Sequence, residues 1–103
     1  MHAIVADKLP LVSDICRRRH VARLEVFGSA AAGRFDPAKS DLDFLVEFLP
    51  GAGGGLRGDY FTLKSDLETL FGRGIDLVVK SAIRNRYFRA EVEETGVEVY
   101  AAA

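Results

Sequence analysis

The segment Asp41-Leu42-Asp43-Phe44-Leu45-Val46-Glu47-Phe48 constrains the fold of this chain more than any other. Side chains of an extended strand point alternately to opposite faces, so Leu42, Phe44, Val46 and Phe48 share one face. Asp41, Asp43, Leu45 and Glu47 take the other. The first set must be buried, which predicts a strand whose apolar face lies against a core. Asp41 and Asp43 then project the same way, about 6–7 Å apart along the strand. Two like charges that close repel, and each raises the other's pKa unless a cation sits between them. Magnesium is the natural cation, because it takes hard oxygen ligands and keeps positions open for phosphate oxygens. A further acid, Asp76, is the one charged residue in the apolar run Ile75-Asp76-Leu77-Val78-Val79, which also reads as a strand. If the two strands are neighbours, Asp76 completes a three-carboxylate cluster. Such a cluster can hold one or two metals and clamp the attacking and leaving oxygens of an in-line phosphoryl transfer.

Composition narrows the setting for such a site. A length of 103 residues fits one domain, 1–103, able to bury roughly two-thirds of its unfolded surface. Hydrophobic residues at 49% and charged residues at 28% are a globular balance. The net charge of -1 argues against a dedicated nucleic-acid binder, so no direct nucleic-acid binding is expected. Cys16 is the single cysteine and cannot form an internal disulfide, and with two histidines it cannot build a usual zinc site. No apolar run approaches the ~20 residues that cross a bilayer, and no secretory signal is visible at Met1-His2-Ala3-Ile4-Val5-Ala6-Asp7. The expectation is a small cytoplasmic domain with no membrane contact.

Around the two acidic strands, Asp7 is expected to cap a first helix with Pro10 in its opening turn. Leu11, Val12, Ile15 and Cys16 would form its apolar stripe, and Arg17-Arg18-Arg19-His20 a solvated basic end. Leu24 to Phe27 reads as a strand stopping at Gly28-Ser29. Pro50 to Gly58 is glycine-rich and reads as a mobile loop; a Walker-type phosphate loop would need a following Gly-Lys-Ser/Thr. Tyr60, Leu63, Leu67 and Leu70 mark an amphipathic helix that Asp59 can cap and Gly72 or Gly74 can end. Asn85 can open a last helix carrying Tyr87, Phe88 and Val92, before Gly96 and a final strand from Val97 to Tyr100. This order predicts an α/β (α+β) fold, a mixed sheet with helices packed on one face.

Gly28-Ser29 stands where a strand ends and a helix can begin through Ala30-Ala31-Ala32. Free N–H groups there suit a triphosphate, Gly28 permits close backbone approach, and a serine hydroxyl can donate to a phosphate oxygen. Phe27-Gly28-Ser29, Gly33 and Ser40-Asp41-Leu42-Asp43, followed by Phe44 to Phe48, resemble the signature of the polymerase-β-like nucleotidyltransferases. Within that superfamily the match is to the minimal nucleotidyltransferases, antitoxins of HEPN-domain toxins. It extends through Gly74-Ile75-Asp76-Leu77-Val78 and Arg86-Tyr87-Phe88-Arg89 to Val99-Tyr100. The resemblance implies that Gly28, Ser29 and Ser40 bind the nucleotide. Asp41, Asp43 and Asp76 would be the catalytic residues and the Mg2+ ligands, with ATP as substrate. It also implies AMP transfer to a tyrosine hydroxyl of a HEPN-domain toxin, which would silence the toxin's RNA cleavage. Relatives usually carry a basic residue at the position of Ala32, and many at that of Ala30; a substitute here would be Arg34 or Lys39. Two other readings stay open: an antitoxin that masks its toxin by binding alone, using aromatic side chains as an interface, and a small-molecule nucleotidyltransferase acting as a homodimer, a homo-oligomer whose second subunit completes the acceptor site.

Overall fold

The computed structural model describes residues 3–32, 41–51 and 55–102, with the backbone alone for 29, 32 and 55–57. Two short helices, α1 (Ala3–Ala6) and α2 (Leu9–Arg18), lead into β1 (Val21–Phe27) and a one-turn helix α3 (Gly28–Ala32). Then come β2 (Leu42–Phe48), the long helix α4 (Gly55–Phe71), β3 (Ile75–Val79), a 3-10 turn at Lys80–Ala82, α5 (Arg86–Thr95) and β4 (Val97–Ala101). The strands form one sheet in the order β3-β2-β1-β4. β1 runs antiparallel to both β2 and β4, whereas β2 and β3 are parallel. A parallel pair cannot be joined by a tight hairpin, and α4 supplies the crossover.

The alternation at 42–48 holds. Leu42, Phe44 and Val46 are fully buried in the main core, with Val12, Ile15 and Cys16 of α2 and Leu63, Leu67 and Phe71 of α4. The helical layer expected on one face is therefore α2 and α4. The opposite face is not bare, however. Phe27, Leu45, Ile83 and Val92 form a second, smaller cluster with Val78 and Phe88, and the Phe27 and Phe88 rings meet edge-on at 6.0 Å. α5 thus covers the part of that face beyond the acidic residues, which accounts for the one apolar residue, Leu45, among them.

Several local expectations need correcting. α2 is preceded by Lys8 without a side-chain cap, so Asp7 does not cap it, although Pro10 does sit in its first turn. Leu11 is 53% exposed, because the buried stripe runs through Val12, Ile15 and Cys16 alone. Residues 55–58 are helical, since α4 starts within the glycine-rich run, and Asp59 lies inside the helix rather than capping it. Its carboxylate is buried, the residue only 7% exposed, and faces His20 Nδ1 at 3.2 Å. His20 is consequently not a free helix end: it adopts φ 59° and its carbonyl accepts the Leu49 N–H. Arg17 and Arg18 pair with Asp14, and Arg19 with Asp66 at 2.9 Å. Gly72, at φ 64°, does end α4, and Asn85 Oδ1 accepts the Tyr87 and Phe88 N–H groups at the start of α5. Among the described residues, no helix is long and apolar enough to cross a membrane.

Phe44 is the largest fully buried side chain and its ring lies 6.0 Å from that of Phe71. Phe44→Ala should destabilise the chain by about 3–5 kcal/mol, from lost transfer energy and the cavity left behind. The midpoint of urea unfolding measures it.

Candidate active site

The site forms where β1 ends and β2 and β3 begin. Phe27 pairs with Asp43 across β1 and β2, and Asp43 pairs in register with Asp76 across β2 and β3. The Leu42 N–H donates to the Gly74 carbonyl at 3.1 Å and fixes that register at its first rung. The side chains of Asp43 and Asp76 therefore emerge side by side on the face opposite the main core.

Two glycines make room for these acids. Gly28 takes φ 69°, turning the chain directly from β1 into α3, and a Cβ there would lie 2.5 Å from Asp43 Oδ2. Any side chain would clash with the carboxylate and strain the backbone as well. Gly74 precedes β3, and a Cβ on it would stand 2.6 Å from Asp41 Oδ1. The sequence marked Gly28 for close approach of a triphosphate, and what the structure brings against it is the Asp43 carboxylate. The role of Gly74 was not legible in the sequence, because a glycine after a helix reads first as a helix stop.

The electrostatics follow. The Asp43 carboxyl is held above the ordinary carboxylate range, first by burial, then by the charges of Asp76 and Asp41 and by a hydrogen bond with Asp76. Repulsion of this kind is what a bound divalent cation relieves, and hard carboxylate oxygens suit magnesium. Asp43 and Asp76 are the converging pair. Asp41 is exposed at the rim against Gly74, and among the described residues no three His, Cys, Asp or Glu side chains stand as a complete metal set. Cys16 plays no part, since burial in the main core pushes its thiol up to about 12 and keeps it protonated.

Gly28 and Ser29 open α3 beside Asp43, as expected; the Ser29 side chain, like Gly33, Arg34, Lys39 and Ser40, lies outside the described residues. The described part of α3 carries no cation, its sequence being Gly-Ser-Ala-Ala-Ala.

Residues 9–99 match the family described as "Nucleotidyltransferase domain". The chain is 39% identical over 77 residues to "Putative protein adenylyltransferase MJ0128" of Methanocaldococcus jannaschii, an alignment covering 72% of this chain and 71% of that protein. The solved structure of a "putative minimal nucleotidyltransferase" superposes with a TM-score of 0.77 at 31% identity, covering 94% of this chain and 95% of that one. A complex of tri-AMPylated Shewanella oneidensis HEPN toxin with MNT antitoxin shares the fold, with a TM-score of 0.65 at 16% identity, over 95% of this chain and 73% of that one.

A carboxyl whose pKa is raised in the fold ionises there less readily than in the unfolded chain. Stability is therefore lost as pH climbs from the ordinary carboxylate value through the raised one. Asp43→Asn, a neutral isostere, should accordingly be more stable than the parent at pH 7 without added metal. The gap in melting temperature should close as the pH is brought below the ordinary range for aspartate.

Proposed function

Because the chain belongs to the nucleotidyltransferase domain family, we propose that it is an antitoxin that transfers AMP from ATP to a tyrosine hydroxyl of a partner HEPN-domain toxin. The observation that carries the chemistry is the in-register juxtaposition of Asp43 and Asp76 beside the Gly28 turn. The choice of acceptor is supported by the adenylyltransferase description of the archaeal relative and by the fold shared with the antitoxin of the AMPylated toxin complex.

In this reading Gly28, Ser29 and Ser40 hold the nucleotide phosphates, with Gly28 letting the backbone come close. Asp41, Asp43 and Asp76 would hold Mg2+, which when bound supplies positive charge against the triphosphate and polarises its α-phosphoryl group. Asp76 takes the proton from the acceptor hydroxyl. The hydroxyl oxygen bonds to the α-phosphorus as the bond to the bridging oxygen breaks, and pyrophosphate leaves with that electron pair. Little covalent work falls to the protein, whose contribution is alignment and charge.

The cation-free run Ala30-Ala31-Ala32 favours a second reading, in which the chain masks its toxin by binding alone. Asp43→Asn separates the two, since the variant is expected to fold. Incubated with the HEPN partner, ATP and magnesium, the parent chain should add AMP mass to the intact toxin. Asp43→Asn and Asp76→Asn should each cut that rate by on the order of 100-fold or more, as loss of a key charge-stabilising group does. Neutralisation of the toxin by Asp43→Asn at parental level, with no AMP added, would establish masking instead. Gly74→Ala tests the role of Asp41: its backbone is not left-handed, so it should fold, yet it pushes the Asp41 carboxylate aside and should slow transfer.

A further inference from the structure

Two residues beyond Asp76, the site face gives way to a hollow of about 590 Å³ along β3 and the start of α5, with Tyr60, Leu77, Val79, Ile83 and Phe88 among its walls. The Tyr60 hydroxyl donates to the Leu77 carbonyl at 2.7 Å. β3 is an edge strand, and this bond takes up a main-chain acceptor that an added strand would use. Strand addition is thereby disfavoured at Leu77, and entry by side chains is favoured.

The rim of the hollow has a particular chemistry. Arg84 lines it, and Arg86 and Arg89 follow within the next five residues. None of these three arginines has a carboxylate within ion-pair distance among the described residues, whereas Arg17, Arg18, Arg19, Arg23 and Lys80 all do. From Leu77 to Ala90 the chain holds no acid at all, although its net charge is -1. Arg89 is turned inward and donates to the Ile83 carbonyl, which leaves Arg84 and Arg86 exposed. Arg86 lies over the Tyr87 ring at 5.2 Å, and that ring is 74% exposed at the first turn of α5. From α4, Phe61 is 61% exposed with its ring edge-on to Tyr60. Exposed aromatic and arginine side chains around an apolar hollow are the composition of a protein-binding hot spot.

We infer that this hollow and its arginine rim dock an acidic segment of the acceptor protein, two or three of its apolar side chains entering the hollow while flanking carboxylates pair with Arg84 and Arg86. The inference rests on the protein-acceptor reading above and adds to it the surface that brings the acceptor hydroxyl beside Asp76. Charge complementarity chooses the occupant: guanidinium groups without a carboxylate partner call for anions, and an apolar hollow of about 590 Å³ has room for several side chains such as Leu or Phe. A second copy of the chain offers no acid in its own stretch from 77 to 90, so face-to-face self-association would set arginine against arginine.

The test uses the full chain with the HEPN-domain toxin as probe. Arg84→Glu with Arg86→Glu should weaken toxin binding, measured calorimetrically, by about tenfold or more. It should raise the KM for toxin in AMP transfer and leave the KM for ATP within about twofold. Arg84→Lys with Arg86→Lys should recover most of the binding, and added salt should weaken the parent complex more than the reversed variant's. Unchanged toxin affinity in the doubly reversed variant overturns the inference. So does a rise in the KM for ATP alone, which would make the hollow a nucleotide site, or parental binding of a single-stranded RNA that the reversal abolishes. A toxin that binds through this rim but gains no AMP leaves the docking surface standing and removes the transfer reading. A toxin that neither binds nor is modified removes both.

Discussion

The parallel pairing of β2 with β3 is the constraint on which the site depends. It sets Asp43 directly against Asp76, two like charges on adjacent strands. Two unit charges 4 Å apart repel by about 1 kcal/mol in water and about 4 kcal/mol at an effective dielectric of 20. What holds them is on the other face, where Leu42, Phe44 and Val46 of β2 and Ile75 and Leu77 of β3 are buried together. Each such side chain is worth roughly 1.5–3 kcal/mol on burial, so five of them outweigh the repulsion. A slip of one residue would turn Asp76 into the core and Leu77 out of it, and is forbidden for that reason. The main core thus carries an electrostatic conflict on the opposite side of the same strands.

The conflict is sharpened by space. Gly28 and Gly74 both lie where a methyl group would occupy the position of a carboxylate oxygen. Acids and backbone are crowded together there, and the crowding raises the Asp43 pKa through burial before any neighbouring charge is felt. A negative charge on Asp43 is therefore costly in this setting. The opposite end of β1 and β2 is built differently. There Asp59, buried in α4, is matched by His20, and the His20 carbonyl accepts the Leu49 N–H. That pairing ties α4 to the sheet at the end remote from Gly28 and Asp43, and serves the frame rather than the chemistry.

Charge is also unevenly divided along the face the acids share. Asp43 and Asp76 stand at the ends of their strands, and the stretch after β3 is purely basic up to Glu91. α5 joins the two regions: Val92 and Phe88 anchor it on Phe27 and Leu45, while Arg86 and Tyr87 at its first turn are left to solvent. A helix that is apolar toward the sheet and basic at its N-terminus gains nothing from its own dipole there, since the N-terminus favours acids. Arg89 is held inward on the Ile83 carbonyl, but Arg86 has no carboxylate partner among the described residues, which agrees with a role in recognition.

The sequence by itself determined the strand at 42–48, the third at 75–79, the cap at Asn85 and a glycine stop after the long helix, and it singled out Asp41, Asp43 and Asp76. Each of these rests on period-two burial or on local backbone chemistry, which a linear reading can register. It misjudged Leu11, which lies at the edge of the buried stripe, and Asp59, because a capping acid and a buried one look alike until the helix start is known, and α4 begins four residues before Asp59. Tertiary structure alone decided that β2 and β3 are neighbours and in which register. It also decided that Gly74 makes room for Asp41 and that an arginine rim without acids borders a hollow beside β3. These depend on which surfaces meet across long stretches of chain, and the meeting is set by burial of the whole core rather than by any one segment.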